Sequence, residues 1–297
     1  MCKVSVLIMI ITLSCPSFLD AFSLRTMVDG DDIVINSEYR DLCQGEVLKV
    51  SLQTPPPLLQ ARARFMGKEF VFVPSQDGSY SFCLIGIGTN VTPGIYDLVI
   101  RAGRTEEQYE DFVLKIPITE KKFSIEKITV KKSYLYPSLE SRERMKKDRA
   151  LLRIIYKRYT NKWLGSGRFT VPLKGKITGA FGVKRIFNND VPSYHRGIDI
   201  QSPQGRRIGA ANAGKVVLAR NLFLSGETVI IDHGIGVFSQ YLHLSRIYAK
   251  EGELINKGET VGLVGSTGRS SGPHLHWGIR IKNQYVDPFS LLSLTFD

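Results

Sequence analysis

From Phe169 to its end the chain never sustains a helical repeat. Runs of strand length recur instead, at Ile177–Phe181, Gly197–Ile200, Gly214–Ala219, Thr228–Asp232, Gly236–Leu242, Thr260–Val264 and His274–Ile281. They are rich in β-branched and aromatic residues, and glycine-containing turns separate them. Such a region can bury a core only by stacking strands. It predicts an antiparallel sheet, curled towards a partial barrel where glycines let the backbone bend.

Residues 23–119 repeat the theme on a smaller scale. Glu46–Leu52, Glu69–Val73, Tyr80–Ile85, Ile95–Arg101 and Phe112–Ile116 read as strands, with turns at Asp77-Gly78 and Pro93-Gly94. That spacing predicts an N-terminal β-sandwich domain. Residues 120–165 differ in composition, being charged and basic. Within them Ser138–Trp163 reads as a helix, because Leu151, Ile154, Ile155 and Tyr159 fall at helical spacing. We read it as an amphipathic linker helix lying on one of the domains, with residues 166–297 as the C-terminal domain. The fold class is mostly β, in two domains joined by a charged helical linker.

Residues 1–22 carry Lys3, an apolar run from Val4 to Leu13, Pro16 and then Ala21. That pattern is a secretory signal peptide, since the run falls short of the roughly 20 residues that span a bilayer. Cys2 and Cys15 would leave with it. Cys43 and Cys83 remain, an even pair in an oxidising compartment, and predict a disulfide. The net charge of +12 would attract any anionic partner. Export directs that attraction away from nucleic acid and towards an anionic wall polymer or a membrane surface.

Four of the five histidines fall in three short stretches: His195 in HRGID, His243 in YLHL, and His274 with His276 in HLHW. In an extended strand alternate side chains share a face. His274 and His276 then point one way, and Leu275 and Trp277 the other, into the core. The same parity puts His195, Gly197 and Asp199 on one face, and Tyr241 with His243 on one face. Two imidazoles and a carboxylate around an open position make a catalytic zinc centre. His195, Asp199 and one histidine of the HLH pair could supply it, leaving the others to handle protons. His233, at a strand end before Gly234, reads as a turn residue. The chain has no HExxH, so no helix-borne glutamate base is expected.

His195-Arg196-Gly197-Ile198-Asp199 fits an HxGxD pattern and His274-Leu275-His276 an HxH pattern. Gly179-Ala180-Phe181-Gly182 precedes them, with Tyr241-Leu242-His243-Leu244 and the glycine-rich Gly265–Gly272 between. In content and order this stretch, roughly Phe169 to Pro288, resembles the M23 family of zinc metallopeptidases, the lysostaphin/LytM-type peptidoglycan endopeptidases. The resemblance implies zinc held by His195, Asp199 and His276, with His243 and His274 as the catalytic pair, their individual roles open. It further implies an exported enzyme, periplasmic or envelope-associated. Such an enzyme hydrolyses peptide cross-links of peptidoglycan with a zinc-activated water and histidine acid–base assistance. A non-catalytic activator of a cell-wall amidase, or a carboxypeptidase trimming stem peptides, would share the same frame. Gly265–Gly272 is expected to form a mobile wall of the groove. The N-terminal domain shows no chemistry of its own and is expected to bind wall, dock a partner or gate the groove. Gating predicts that removing residues before Phe169 leaves or raises activity.

Overall fold

The computed structural model describes residues 22–27, 33–54, 60–103, 109–128, 136–187 and 191–296. Apart from Phe22, the expected signal segment lies outside them. The N-terminal strands are β1 (Phe22–Met27), β2 (Val34–Tyr39), β3 (Val47–Gln53), β4 (Gln60–Phe65), β5 (Lys68–Val71), β6 (Val73–Pro74), β7 (Ser81–Gly86), β8 (Gly94–Gly103) and β9 (Tyr109–Ile118). They form two sheets, ordered β1-β2-β3-β7-β6 and β5-β4-β8-β9. The sheets face each other across one apolar cluster that includes Leu48, Val50, Ile85, Phe65, Leu98 and Leu114.

β3 and β7 are buried on both faces. Their second face carries Val47, Phe82 and Leu84, which join the C-terminal core with Trp163, Phe169 and Phe296. Trp163 stacks on Phe296 at 5.0 Å, and Phe82 meets both rings edge-on at 5.5 and 5.7 Å. Lys49 is buried at this seam, where Nζ donates to Glu38 Oε1 at 2.8 Å and to the Thr295 carbonyl at 2.5 Å. Those bonds make its desolvation tolerable. Buried Glu46 accepts from Arg40 and from Lys121 Nζ, and Arg40 also reaches Asp287 Oδ2 at 2.8 Å.

The expected disulfide is absent. Cys43 and Cys83 are both free and buried. Cys83 sits mid-strand in β7 opposite Val50, in the cluster between the two N-terminal sheets. Cys43 lies ahead of β3 and bridges to Thr119. The two residues pair with different backbone neighbours, and burial raises both pKa values, Cys43 to about 12.

Next come β10 (Ile125–Ile128) and the helix α1 (Leu139–Lys157). Ser138 caps α1 by accepting from the Ser141 N–H at 3.2 Å. The helix buries Ile155 and Tyr156, with Leu151 and Leu152 beside them, against Leu218, Leu222, Ile230 and Phe238. The apolar stripe is therefore 151, 152, 155 and 156. Ile154, assigned to it from spacing, is 60% exposed. The predicted helix ended at Trp163, but α1 stops six residues earlier and Trp163 turns into the core.

The remaining strands are β11 (Lys176–Gly179), β12 (Lys184–Phe187), β13 (Val191–Tyr194), β14 (Ile198–Gln201), β15 (Arg207–Gly209), β16 (Gly214–Leu222), β17 (Gly226–Asp232), β18 (Val237–Leu244), β19 (Arg246–Ile247), β20 (Leu254–Ile255), β21 (Thr260–Leu263), β22 (His274–Ile281) and β23 (Gln284–Val286). A short helix, α2 (Pro288–Leu292), follows them. An open eight-stranded sheet runs β11-β14-β22-β18-β17-β16-β20, with β23 added beside β22. Every pairing in it is antiparallel. β10 pairs parallel to β12 in the small sheet β10-β12-β13, so the segment leaving the N-terminal sheets becomes an edge strand beside β12.

Candidate functional site

Leu275, Trp277, Ile279 and Ile281 of β22 are fully buried, so the alternation leaves His274 and His276 on the opposite face. β14 pairs with β22 so that Asp199 stands against His276. His195 enters just before β14, its N–H bonded to the Val183 carbonyl at 2.9 Å. His195 Nε2, Asp199 Oδ1 and His276 Nδ1 thereby come within 2.9 to 3.0 Å of one another.

Protons are placed by the outer partners. His195 Nδ1 lies 2.7 Å from the Ala180 carbonyl, which can only accept, so the neutral ring turns its Nε2 lone pair inward. Arg185 Nη2 donates to Asp199 Oδ2 at 2.7 Å and leaves Oδ1 to the imidazoles. Burial pushes the Asp199 carboxyl up, but the His195 and His276 rings beside it outweigh that and hold it far below the usual carboxylate range. Burial lowers His276. Lone pairs converge here, and a cation among them would relieve the crowding. A tetrahedral ion about 2.0 to 2.2 Å from each ligand sets ligand atoms roughly 3.4 Å apart, close to the spacing observed. The donor set fits a divalent metal such as zinc.

His243 reaches the site by a route that strict alternation misses. Tyr241 is fully buried in the core, on the face opposite the site. β17 pairs Val229 with Tyr241 and Glu227 with Leu244, so β18 holds one extra residue there. At this bulge His243 takes φ +65°, and its ring turns to the metal side. The expected shared face of Tyr241 and His243 is therefore wrong for Tyr241, and the bulge is why. The His243 ring lies 4.9 Å from that of His274 and 6.2 Å from that of His276.

Segment 265–272, expected to be a mobile wall, orients both remaining histidines. His243 Nδ1 meets the Thr267 carbonyl at 2.8 Å, and His274 Nδ1 meets the Gly272 carbonyl at 2.8 Å. Carbonyls at Nδ1 put the proton there and leave each Nε2 as the available atom. His274 Nε2 is 3.7 Å from Asp199 Oδ1. Burial, then the charges of His276 and His274, lower His243 to about 3. The ring is neutral at pH 7 and able to accept a proton.

His233 stands apart from the site. It does precede the turn at Gly234, but its ring is wholly buried between the Ala213 carbonyl and Ser239 Oγ, each 2.7 Å away. Arg185 went unnoticed in the sequence: as one of 40 lysines and arginines it carries no distinguishing signal.

Residues 193–288 match the model of peptidase family M23, a span that holds all five site residues. The C-terminal part of this chain is an M23 domain. The M23 domain is 36% identical over 115 residues to the peptidoglycan DD-endopeptidase ShyB of Vibrio cholerae. It is 43% identical over 116 residues to the DD-carboxypeptidase/endopeptidase Mpg of Neisseria meningitidis serogroup B. These matches cover 38% and 39% of this chain but only 26% and 27% of those relatives. The chain therefore matches about a quarter of the relatives' length. A crystal structure of a Pseudomonas aeruginosa protein assigned to peptidase M23 overlays with a TM-score of 0.65 at 27% identity. The overlay covers 85% of this chain and 96% of that one, so the likeness extends beyond the M23 domain.

Proposed function

We propose that this chain is an exported, zinc-dependent endopeptidase that hydrolyses the peptide cross-links of bacterial peptidoglycan. One observation carries the reading: His195 Nε2, Asp199 Oδ1 and His276 Nδ1 converge within 3.0 Å, and two further histidines stand beside them. The M23 match and the names of the relatives supply the substrate class. The basic charge and the sequence of residues 1–22 favour the cell envelope.

His195, Asp199 and His276 would hold the zinc, which when bound supplies a Lewis acid and brings the pKa of a water to about 7. Arg185 keeps the Asp199 carboxylate turned so that one oxygen serves the metal. His243 and His274 face the reacting carbonyl through their Nε2 atoms. One accepts the proton of the attacking water at Nε2 and returns it to the leaving amine, while the other, entering the reaction as the imidazolium, donates from Nε2 to the oxygen that gains charge and keeps its proton. The carbonyls of Thr267 and Gly272 accept from both Nδ1–H groups and so turn each Nε2 towards the substrate.

A relative named for both carboxypeptidase and endopeptidase activity favours a second reading, stem-peptide trimming at the same site. Product analysis separates the two. The decisive experiment compares zinc content and peptide release from purified peptidoglycan. His195→Ala and His276→Ala should lose metal and activity together, whereas His243→Ala and His274→Ala should lose activity with zinc retained. Wild-type protein that holds zinc and releases nothing would instead favour the amidase-activator reading.

A further inference from the structure

Two positions along β22 from His276, on the same face of the sheet, stands Gly278, opposite Gln240 of β18. A Cβ at Gly278 would lie 3.0 Å from the Arg196 carbonyl, 3.7 Å from His276 Nε2 and 3.8 Å from Gln240 Nε2, so the backbone of Arg196 and the side chains of His276 and Gln240 meet at this residue. Gln240 is 8% exposed and its amide nitrogen has no hydrogen-bond partner. Two positions further along is Arg280. Its guanidinium lies 4.1 Å over the Tyr156 ring of α1 and 5.0 Å over the Tyr285 ring of β23. The Arg196 guanidinium lies 5.0 Å over that same Tyr285 ring.

These groups keep donors without an acceptor. Arg280 reaches Asn283 Oδ1 at 2.7 Å and the Tyr285 hydroxyl at 3.3 Å, while its Nε is unpartnered. The buried Tyr156 hydroxyl is unpartnered too, and both arginines act on it electrostatically. Among the described residues neither guanidinium forms an ion pair. Two cations sharing one tyrosine ring repel each other, and buried donors without acceptors are costly. An anion would relieve both, and a planar carboxylate matches the guanidinium fork.

We infer that Arg196, Arg280 and Gln240 form a subsite for a carboxylate carried by the peptide being cut. The inference rests on the peptidase reading and adds the substrate group that positions the chain. Arg280 stands four residues along β22 from His276, about 13 Å of extended strand. The recognised carboxylate therefore lies within about four extended residues of the bond that reaches the metal.

The test uses the full chain, with zinc bound and after its removal. The probes are a cross-link peptide whose scissile CO–NH is replaced by CH2–NH, and the same peptide with its carboxylate converted to an amide. In calorimetric titration the wild type should bind the carboxylate form at least tenfold more tightly than the amide. Arg196→Gln, at an exposed position, should bring that ratio close to one with unchanged thermal unfolding. Arg280→Lys, which keeps charge but loses the fork, should fall between. Equal binding of the two peptides by wild type, or discrimination that survives both substitutions, overturns the subsite. Wild type that binds neither peptide overturns the peptidase reading along with it. Discrimination without any cleavage of the normal peptide keeps the subsite and removes only the peptidase reading.

Discussion

Arg185 holds the outer oxygen of Asp199 at 2.7 Å and so decides which oxygen is left to face His195 and His276. The arginine is itself anchored from outside the M23 domain, its Nε lying 3.5 Å from Glu126 on β10. Partners that orient a metal ligand typically contribute about 10- to 100-fold in metal affinity. Arg185→Met should weaken zinc binding by about that factor in a chelator competition, and Glu126→Gln by less. Gly179→Ala should act similarly, since its Cβ would stand 2.4 Å from Asp199 Oδ2 and 2.6 Å from Arg185 Nη2. Wild-type affinity in both Arg185→Met and Gly179→Ala would show that the carboxylate needs no such support.

Thr267 ties segment 265–272 to the sheet: its hydroxyl donates to the Leu244 carbonyl at 2.7 Å and accepts from the Glu227 N–H at 2.9 Å. Thr267→Val breaks both and frees the carbonyl that orients His243. Misplacement by about 1 Å can cost about 100-fold in rate. The variant should lose kcat by up to that factor with zinc content unchanged. Zinc lost in parallel would mean the segment supports the metal rather than the histidine.

His233 predicts a pH dependence of stability unrelated to catalysis. Its Nδ1–H donates to Ala213, which leaves Nε2 to accept from Ser239; the Tyr241 hydroxyl, 3.1 Å from Ser239 Oγ, accepts from the Ala211 N–H. Every proton in that chain is used by a neutral ring, and burial lowers the His233 pKa from 6.5 to about 4. A depressed folded pKa means its stabilisation is complete above pH 6.5 and is lost as pH falls from 6.5 to 4. The loss amounts to about 3 kcal/mol at most. Urea midpoints should drop over that interval in wild type and less steeply in His233→Asn. Parallel slopes would assign the acid sensitivity to other groups.

Removal of residues before Phe169 strips Phe82, Trp163, Tyr156 and Ile155 from the apolar surfaces they cover on the M23 domain. The shortened protein should unfold at lower temperature and with poorer solubility than the full chain. Phe296→Ala, within the full chain, should cost about 3 to 5 kcal/mol. A fragment from Phe169 onward as stable as the intact protein would restore the expectation of a removable gate.

Part of the C-terminal sheet was legible from alternation, as Leu275 and Trp277 stand against His274 and His276 in β22, and the rest from runs of β-branched and aromatic residues between glycine turns. The candidate metal-holding trio was legible through the four-residue spacing of His195 and Asp199 and through the family resemblance, which picked His276 from the HLH pair. Tyr241 defeated the same logic, since a bulge adds a residue without any mark in composition. The N-terminal strands were read at β3, β5, β7, β8 and β9. β4, with its alternation of Ala61, Ala63 and Phe65 against Arg62 and Arg64, was not read as a strand. The cysteines misled because an even count says nothing about where two thiols point. Arg185, the Thr267 carbonyl and the packing at Gly278 depend on who lies opposite, which one sequence does not state.

The rings of Phe82, Trp163 and Phe296 interlock across the seam between the N-terminal sheets and the M23 domain. This ties the two halves to a common inheritance. A change of size at Phe82 must be answered at Trp163 or Phe296, residues more than eighty positions away. Such a domain is no interchangeable cassette, because Phe82, Trp163, Ile155 and Tyr156, which cover its apolar surfaces, would stay behind.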